Sequence, residues 1–200
     1  MDNKPPFTYP ALYDFPPFFT KQPNSQTWQS QLSNWVKLLL AYCKHNRIWI
    51  LSPDGTPLTA TSNDDDSDNE EFVPSTESIF NNEKIQRSIK PDMSLEILNT
   101  MVSQGKAKWK DPKNHKMGIY IYWYSLEAWA DMIYDWIENT GQQNSVLTIY
   151  EIRKGELGHN QEFHNMDMDM FISVLELMVK KGQAQLIRDE DGSIAGIKVV

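Results

Sequence analysis

Four histidines, one cysteine and a surplus of carboxylates are the groups that could do chemistry in this 200-residue chain. His45, His115, His159 and His164 form no HxH or HxxxH pair, and the step of five between His159 and His164 is poor ligand spacing on a helix. His164 therefore reads as a structural residue. Cys43 stands alone, which excludes an intrachain disulfide and a CxxC zinc site. It also falls on the apolar face of a helical pattern, where a thiol is a packing group. The chain has no glycine-rich phosphate loop and no GxSxG elbow. The carboxylates are scattered along loops and polar faces. These residues predict no catalytic residue, no metal site and no cofactor.

Charge narrows the partners. The chain carries 19 Lys and Arg against 27 Asp and Glu, for a net charge of −8. Neutralising phosphates by counterion release needs clustered cations, so nucleic acid is disfavoured. The start, Met1 to Pro6, lacks the apolar core of a signal peptide. The apolar run Val36 to Tyr42 is far short of the ~20 residues that span a bilayer. A lone cysteine fits a reducing compartment. The expected setting is cytoplasmic.

What remains is binding, and one stretch invites it. Residues 1–24 hold Pro5, Pro6, Pro10, Pro16, Pro17 and Pro23, interleaved with Phe7, Tyr9, Tyr13, Phe15, Phe18 and Phe19. Consecutive prolines fix φ near −65° and push Phe15 toward an extended backbone, so Phe15 to Thr20 predicts a stiff, polyproline-like arm. Such an arm loses little entropy on docking into an apolar groove. It can also fold back on its own domain as an apolar strap. Disordered tails are poor in aromatics, so the arm packs on something.

Behind the arm, Asn24 or Ser25 caps a helix with Trp28, Leu32, Trp35, Val36, Leu39, Tyr42 and Cys43 on one face. Ile48 to Leu51 reads as a strand closed by Pro53-Asp54-Gly55. Residues 58–77, with Asp64, Asp65, Asp66, Asp68, Glu70 and Glu71, read as a disordered acidic insertion. Ile79 to Arg87 predicts a short helix. A longer one, capped at Asp92 or Ser94, carries Leu95, Leu98, Met101 and Val102 and stops at Gly105. Strands at 106–110 and 119–124 follow.

A second cycle starts at Ser125. A helix buries Leu126, Trp129, Ala130, Ile133 and Ile137, and Val146 to Ile152 predicts a strand. A helix with Met168, Phe171, Ile172, Leu175, Met178 and Val179 inward ends at Gly182, before a hairpin at 184–187 and 194–200. The cycles repeat at an offset of 77: Met101-Val102-Ser103-Gln104-Gly105 resembles Met178-Val179-Lys180-Lys181-Gly182, with Leu98 over Leu175. Helix, strand, helix, helix, hairpin is the winged-helix order. The fold expected is α+β, mostly helical, with two tandem winged-helix domains at 25–124 and 125–200 behind a docking arm at 1–24.

A winged helix commonly presents its third helix to DNA. Here residues 92–104 carry Asp92 and Glu96 without Lys or Arg, and residues 166–181 carry Asp167, Asp169 and Glu176, with Lys180 and Lys181 only at the end. Acidic helices are repelled by phosphate and cannot read guanine. A winged-helix transcription factor is thus the weaker alternative. Trp109, Trp123, Tyr124, Tyr134 and Trp136 exceed what two small cores are expected to bury, and surplus aromatics mark interfaces.

An ordered set of segments carries a resemblance. Phe15 to Thr20, Gln22 to Asn24, Phe80 to Asn82 with Gln86-Arg87, Asn144 to Val146 with Tyr150-Glu151, and Glu162 to His164 resemble the small-subunit family of ESCRT-II, in a fungal form given the acidic insertion. That resemblance implies tandem winged helices and a non-catalytic subunit for multivesicular-body sorting of ubiquitinated membrane cargo. It implies a Y-shaped complex in which two copies each join one of two larger winged-helix ESCRT-II subunits through PPxY-like motifs. Pro16, Pro17, Phe18 and Phe19 match such a motif with Phe at its last position. Pro5, Pro6 and Phe7 match a second one that ends in Thr8. The second winged helix is expected to recruit an ESCRT-III subunit, and the complex to sit peripherally on endosomes. With this resemblance, the sequence favours a partner anchor over an internal strap.

Overall fold

The computed structural model describes residues 4–58 and 77–200. The acidic insertion expected at 58–77 lies almost wholly outside them. Two compact units divide the chain, Met1–Trp123 and Tyr124–Val200.

In the first unit, α1 (Ser25–Asn46) begins where the Asn24 side chain accepts from the Thr27 amide, and ends as Arg47 turns left-handed at φ 51°. Its stripe buries Trp28, Leu32, Trp35, Val36, Leu39, Tyr42 and Cys43. Burying each large apolar side chain stabilises the unit by roughly 1.5–3 kcal/mol. The strands β1 (Ile50–Leu51) and β2 (Pro57–Leu58) follow around the Pro53–Gly55 turn. Next come β3 (Asn81–Asn82) and β4 (Arg87–Ser88), which pair antiparallel. A single 3-10 turn, Glu83–Ile85, sits between them where a helix is expected. The turn cannot extend. The Asn82 side chain caps it at the Ile85 amide, and Gln86 is left-handed at φ 52°.

The third helix, α2 (Pro91–Ser103), starts from Lys90 with Pro91 in its first turn. Neither Asp92 nor Ser94 caps it, because proline already supplies the φ of a first helical residue and has no N–H to satisfy. The wing is β5 (Ala107–Trp109) and β6 (Ile119–Ile121), in a sheet ordered β2-β1-β6-β5.

The second unit opens with α3 (Leu126–Asn139), capped by Ser125. The strand β7 (Val146–Thr148) is shorter than expected, because Thr148 and Glu151 form a capping box that starts α4 (Ile149–Arg153). Then come α5 (Met168–Lys180), capped by Asp167, and the hairpin of β8 (Ala184–Arg188) and β9 (Ile194–Val199). Val179 lies outward on α5, 36% exposed, while Met170, Phe171, Val174, Leu175 and Met178 are buried.

The repeat is visible in hydrogen bonds. The amide of Gly105 donates to the Val102 carbonyl and that of Lys106 to Met101; Gly182 and Gln183 donate likewise to Val179 and Met178. Gly105 and Gly182 hold φ of 67° and 75°, the left-handed turn that closes a helix. The strand after the first helix pairs in both units with the last wing strand, β1 with β6 and β7 with β9. Each unit is a winged helix.

Candidate functional site: a proline-aromatic arm seated on the first winged helix

The arm is built of two 3-10 turns, Ala11–Asp14 and Pro16–Phe19. The amide of Tyr13 donates to the Pro10 carbonyl at 2.9 Å and that of Phe18 to the Phe15 carbonyl at 2.9 Å. Phe15 is extended as expected, at φ −96° and ψ 108°. The segment after it is not polyproline-like. A fixed proline φ near −65° suits a 3-10 turn as well as an extended helix, and the hydrogen bonds select the turn.

The turn sorts its side chains. Phe18 and Phe19, read from sequence as partner-facing, point inward and are each 3% exposed. The Phe18 ring lies parallel on Trp35 with centroids 4.3 Å apart, and Phe19 meets Trp35 edge-on at 5.4 Å. The cause is a set of donors on α1: the Trp35 indole Nε1 donates to the Phe18 carbonyl at 3.1 Å, and Gln31 Nε2 donates to the same oxygen at 2.6 Å. Gln31 also reaches the Thr20 carbonyl at 3.0 Å. The described arm, residues 4–24, is therefore part of the first unit and not a segment apart from it.

Earlier in the arm, Tyr13 is buried, and its hydroxyl donates toward the Ile79 and Asn81 carbonyls at 2.9 and 3.1 Å. Burial, more than its neighbours Tyr9 and Tyr42, pushes this phenol above its ordinary value. Asn82 Nδ2 donates to the Tyr13 carbonyl at 2.8 Å, and Lys84 pairs with Asp14. The Lys84 hydrogen bond holds the exposed Asp14 carboxyl below the usual carboxylate range. Phe7 is half-buried, edge-on to Tyr42 and His45, while His45 Nε2 donates to the Pro5 carbonyl at 3.0 Å.

Outward, the arm presents Pro5, Pro6, Pro16 and Pro17, with Tyr9 and Phe15 41% and 54% exposed. Sequence reasoning missed Gln31 and Asn82, the two buried amides that fix the arm. Gln31 falls three residues after Trp28 and four before Trp35, so a glutamine inside an apolar stripe was the available signal.

The groups that could do chemistry are dispersed. Cys43 is buried, and that burial raises its thiol well above its ordinary value. His115 stacks on Trp109 at 3.9 Å, and the rings of His159 and His164 meet at 5.0 Å. Among the described residues no group of three or more His, Cys, Asp or Glu could hold a metal ion, and no helix is long and apolar enough to cross a membrane. The surplus of aromatics is absorbed: Trp109 and Trp136 are buried, and Trp123, Tyr124 and Tyr134 are partly so. The large apolar groups exposed in their stead include Met117, Val146, Tyr150 and Leu157. On α2, Glu96 pairs with Lys21 at 2.6 Å.

A family model of ESCRT-II complex subunits matches residues 12–167. The chain belongs to the ESCRT-II subunit family. Within that family it is similar to vacuolar protein-sorting-associated protein 25 of Saccharomyces cerevisiae, 35% identical over 96% of this chain and 98% of the relative. The same-named protein of Drosophila melanogaster is 35% identical over 94% of this chain and 95% of its own length. Among solved structures, a crystal structure of subunit VPS25 of the endosomal trafficking complex ESCRT-II superposes with a TM-score of 0.80 at 34% identity, covering 95% of this chain and 98% of that one. A chain of the endosomal complex ESCRT-II (VPS22/VPS25/VPS36) superposes at 0.77 with 32% identity, covering 96% and 98%. The two superposed structures thus extend across both winged-helix units of this chain.

Proposed function

We propose that this ESCRT-II subunit works without catalysis, bridging partners in the multivesicular-body sorting of ubiquitinated membrane cargo. Two copies each dock through the arm on one of two larger winged-helix ESCRT-II subunits, counterparts of the VPS22 and VPS36 that share a solved complex with VPS25. Its second winged helix recruits an ESCRT-III subunit, and the cytoplasmic assembly is held peripherally on endosomes. The observation that carries this reading is likeness over the whole chain, both winged helices included, to VPS25 within that complex.

The arm's geometry supports a division of labour. Pro16, Pro17 and Phe15 form the contact face of one motif, and Pro5 and Pro6 that of the other. Phe18 and Phe19 hold the first motif in place from beneath, as Phe7 does for the second. Exposed proline and aromatic surface on a preformed turn suits docking, because the ordering entropy has already been lost on folding. The second unit's exposed Val146, Tyr150 and Leu157 are candidates for the ESCRT-III contact.

Copurification tests this. The triple variant Phe15→Ala, Pro16→Ala, Pro17→Ala is expected to lose the larger subunits while its thermal melt stays unchanged. Retention of an intact complex by a folded triple variant would refute the docking role.

A further inference from the structure

The wing of the first unit is a cationic tip on an acidic chain. Residues 106–116 contain Lys106, Lys108, Lys110, Lys113 and Lys116 against the single carboxylate of Asp111, in a protein whose net charge is −8. Strand alternation sorts them. Ala107 and Trp109 of β5 are buried, so Lys106, Lys108 and Lys110 share the opposite, outer face. Lys113 and Lys116 are exposed on the loop to β6. Lys108, Lys113 and Lys116 form no ion pair among the described residues. Asp111 uses one carboxylate oxygen to accept from the Lys113 amide at 2.8 Å.

This tip is held in shape. His115 stacks on Trp109, whose indole Nε1 donates to Asn99 Oδ1 at 2.9 Å, and the Lys110 amide donates to the Gly118 carbonyl at 3.0 Å. Beside these lysines the loop puts two apolar groups into solvent, Pro112 and Met117, the latter 50% exposed. An exposed thioether on the same loop as exposed lysines with four-carbon stems fits the boundary between lipid headgroups and acyl chains. There the apolar tip enters while the cations stay with the phosphates.

We propose that the wing tip, Lys108 to Met117, is a contact site for an anionic lipid bilayer. Nucleic acid shares the phosphate chemistry but fits less well. A duplex lying along the wing and third helix would meet Asp92 and Glu96 of α2, whereas a plane touching only the tip would not. The chain's net negative charge favours an approach to an anionic surface led by this lysine cluster.

The test is vesicle cosedimentation of the full chain, with phosphatidylcholine alone or with about one quarter phosphatidylserine, the anionic lipid such basic clusters recognise. Binding is expected only to the anionic vesicles and is expected to weaken as salt rises. Each lysine near the surface contributes roughly fivefold in affinity, so Lys113→Ala with Lys116→Ala should weaken binding about 25-fold. Met117→Ser should weaken it roughly threefold or more, through lost apolar burial. Both variants change exposed side chains, and their thermal melts serve as the folding control. Soluble glycerophosphoserine should not compete. Equal binding to both vesicle types, unchanged binding by the double-lysine variant, competition by the soluble headgroup, or tighter lysine-dependent binding to duplex DNA than to vesicles would each overturn the proposal.

Discussion

Phe18→Ala is the perturbation that separates a ring built into the domain from a ring offered to a partner. The side chain is 3% exposed and lies flat on Trp35, their planes 2° apart. Truncating a buried phenylalanine costs about 3–5 kcal/mol, to which the stacked pair contributes roughly 0.5–1.5 kcal/mol. Against a domain stability of about 5–15 kcal/mol, that leaves the first unit marginal. With a urea dependence of about 2 kcal/mol per molar, the midpoint of its transition should fall by roughly 2 M. Tryptophan fluorescence reports the change, with Trp35 one of seven contributors. Phe15→Ala, in the same arm but 54% exposed, should stay within about 0.5 kcal/mol of the parent. If Phe18→Ala matched Phe15→Ala, the ring would not belong to the core and the docking assignment would have to move back onto it. For the same reason the double variant Phe18→Ala, Phe19→Ala is not a clean docking test. It removes the contact face by loosening what lies under it.

Other outcomes follow from single contacts. Asn82→Ala orphans the buried Tyr13 carbonyl and should cost about 1–3 kcal/mol, read by urea denaturation. Gly118→Ala should destabilise the wing by about 1–3 kcal/mol, because φ is 94° and an added Cβ would lie 2.7 Å from Ile50 and 2.8 Å from Leu58. Its thermal midpoint checks this. Cys43 should resist thiol reagents in the folded chain at neutral pH and react once urea is added, because burial raises its thiol. The Glu151 carboxyl lies below the usual 4.5, chiefly because it accepts from the Thr148 amide. Its contribution to the second unit is therefore complete above that usual value and is lost as pH falls through the lowered one. Glu151→Gln should flatten this acid limb in a pH series of thermal melts.

The helices were legible because each buries a stripe at steps of three and four, and Trp28 to Cys43 or Trp129 to Ile137 cannot be read otherwise. The 77-residue echo also made two units of one fold legible in the sequence. Short local structure was harder to read. Ile79 to Arg87 has helical spacing, yet two side-chain decisions, the Asn82 cap and the left-handed Gln86, cut it to one turn. Val146 to Ile152 has strand composition, yet the Thr148–Glu151 capping box divides it. At the site, the arm's composition implied a segment that packs on something but not which rings face outward. That depends on Gln31 and Trp35, whose donors pull the Phe18 carbonyl inward and carry the ring with it. A one-dimensional pattern of prolines and aromatics contains no statement of which face a 3-10 turn will show.

If the arm docks as proposed, seating it on α1 gives assembly a built-in inspection. The outward prolines keep their spacing only while Phe18 and Phe19 are anchored beneath them, so a partner that reads those prolines is also reading the integrity of the domain below. A chain whose first winged helix has come apart offers the same residues as a loose peptide, and binding it must then supply the ordering entropy that folding had already met. On the proposed docking role, damaged copies would be handicapped at that step, and the complex would select for intact subunits without a separate proofreading device.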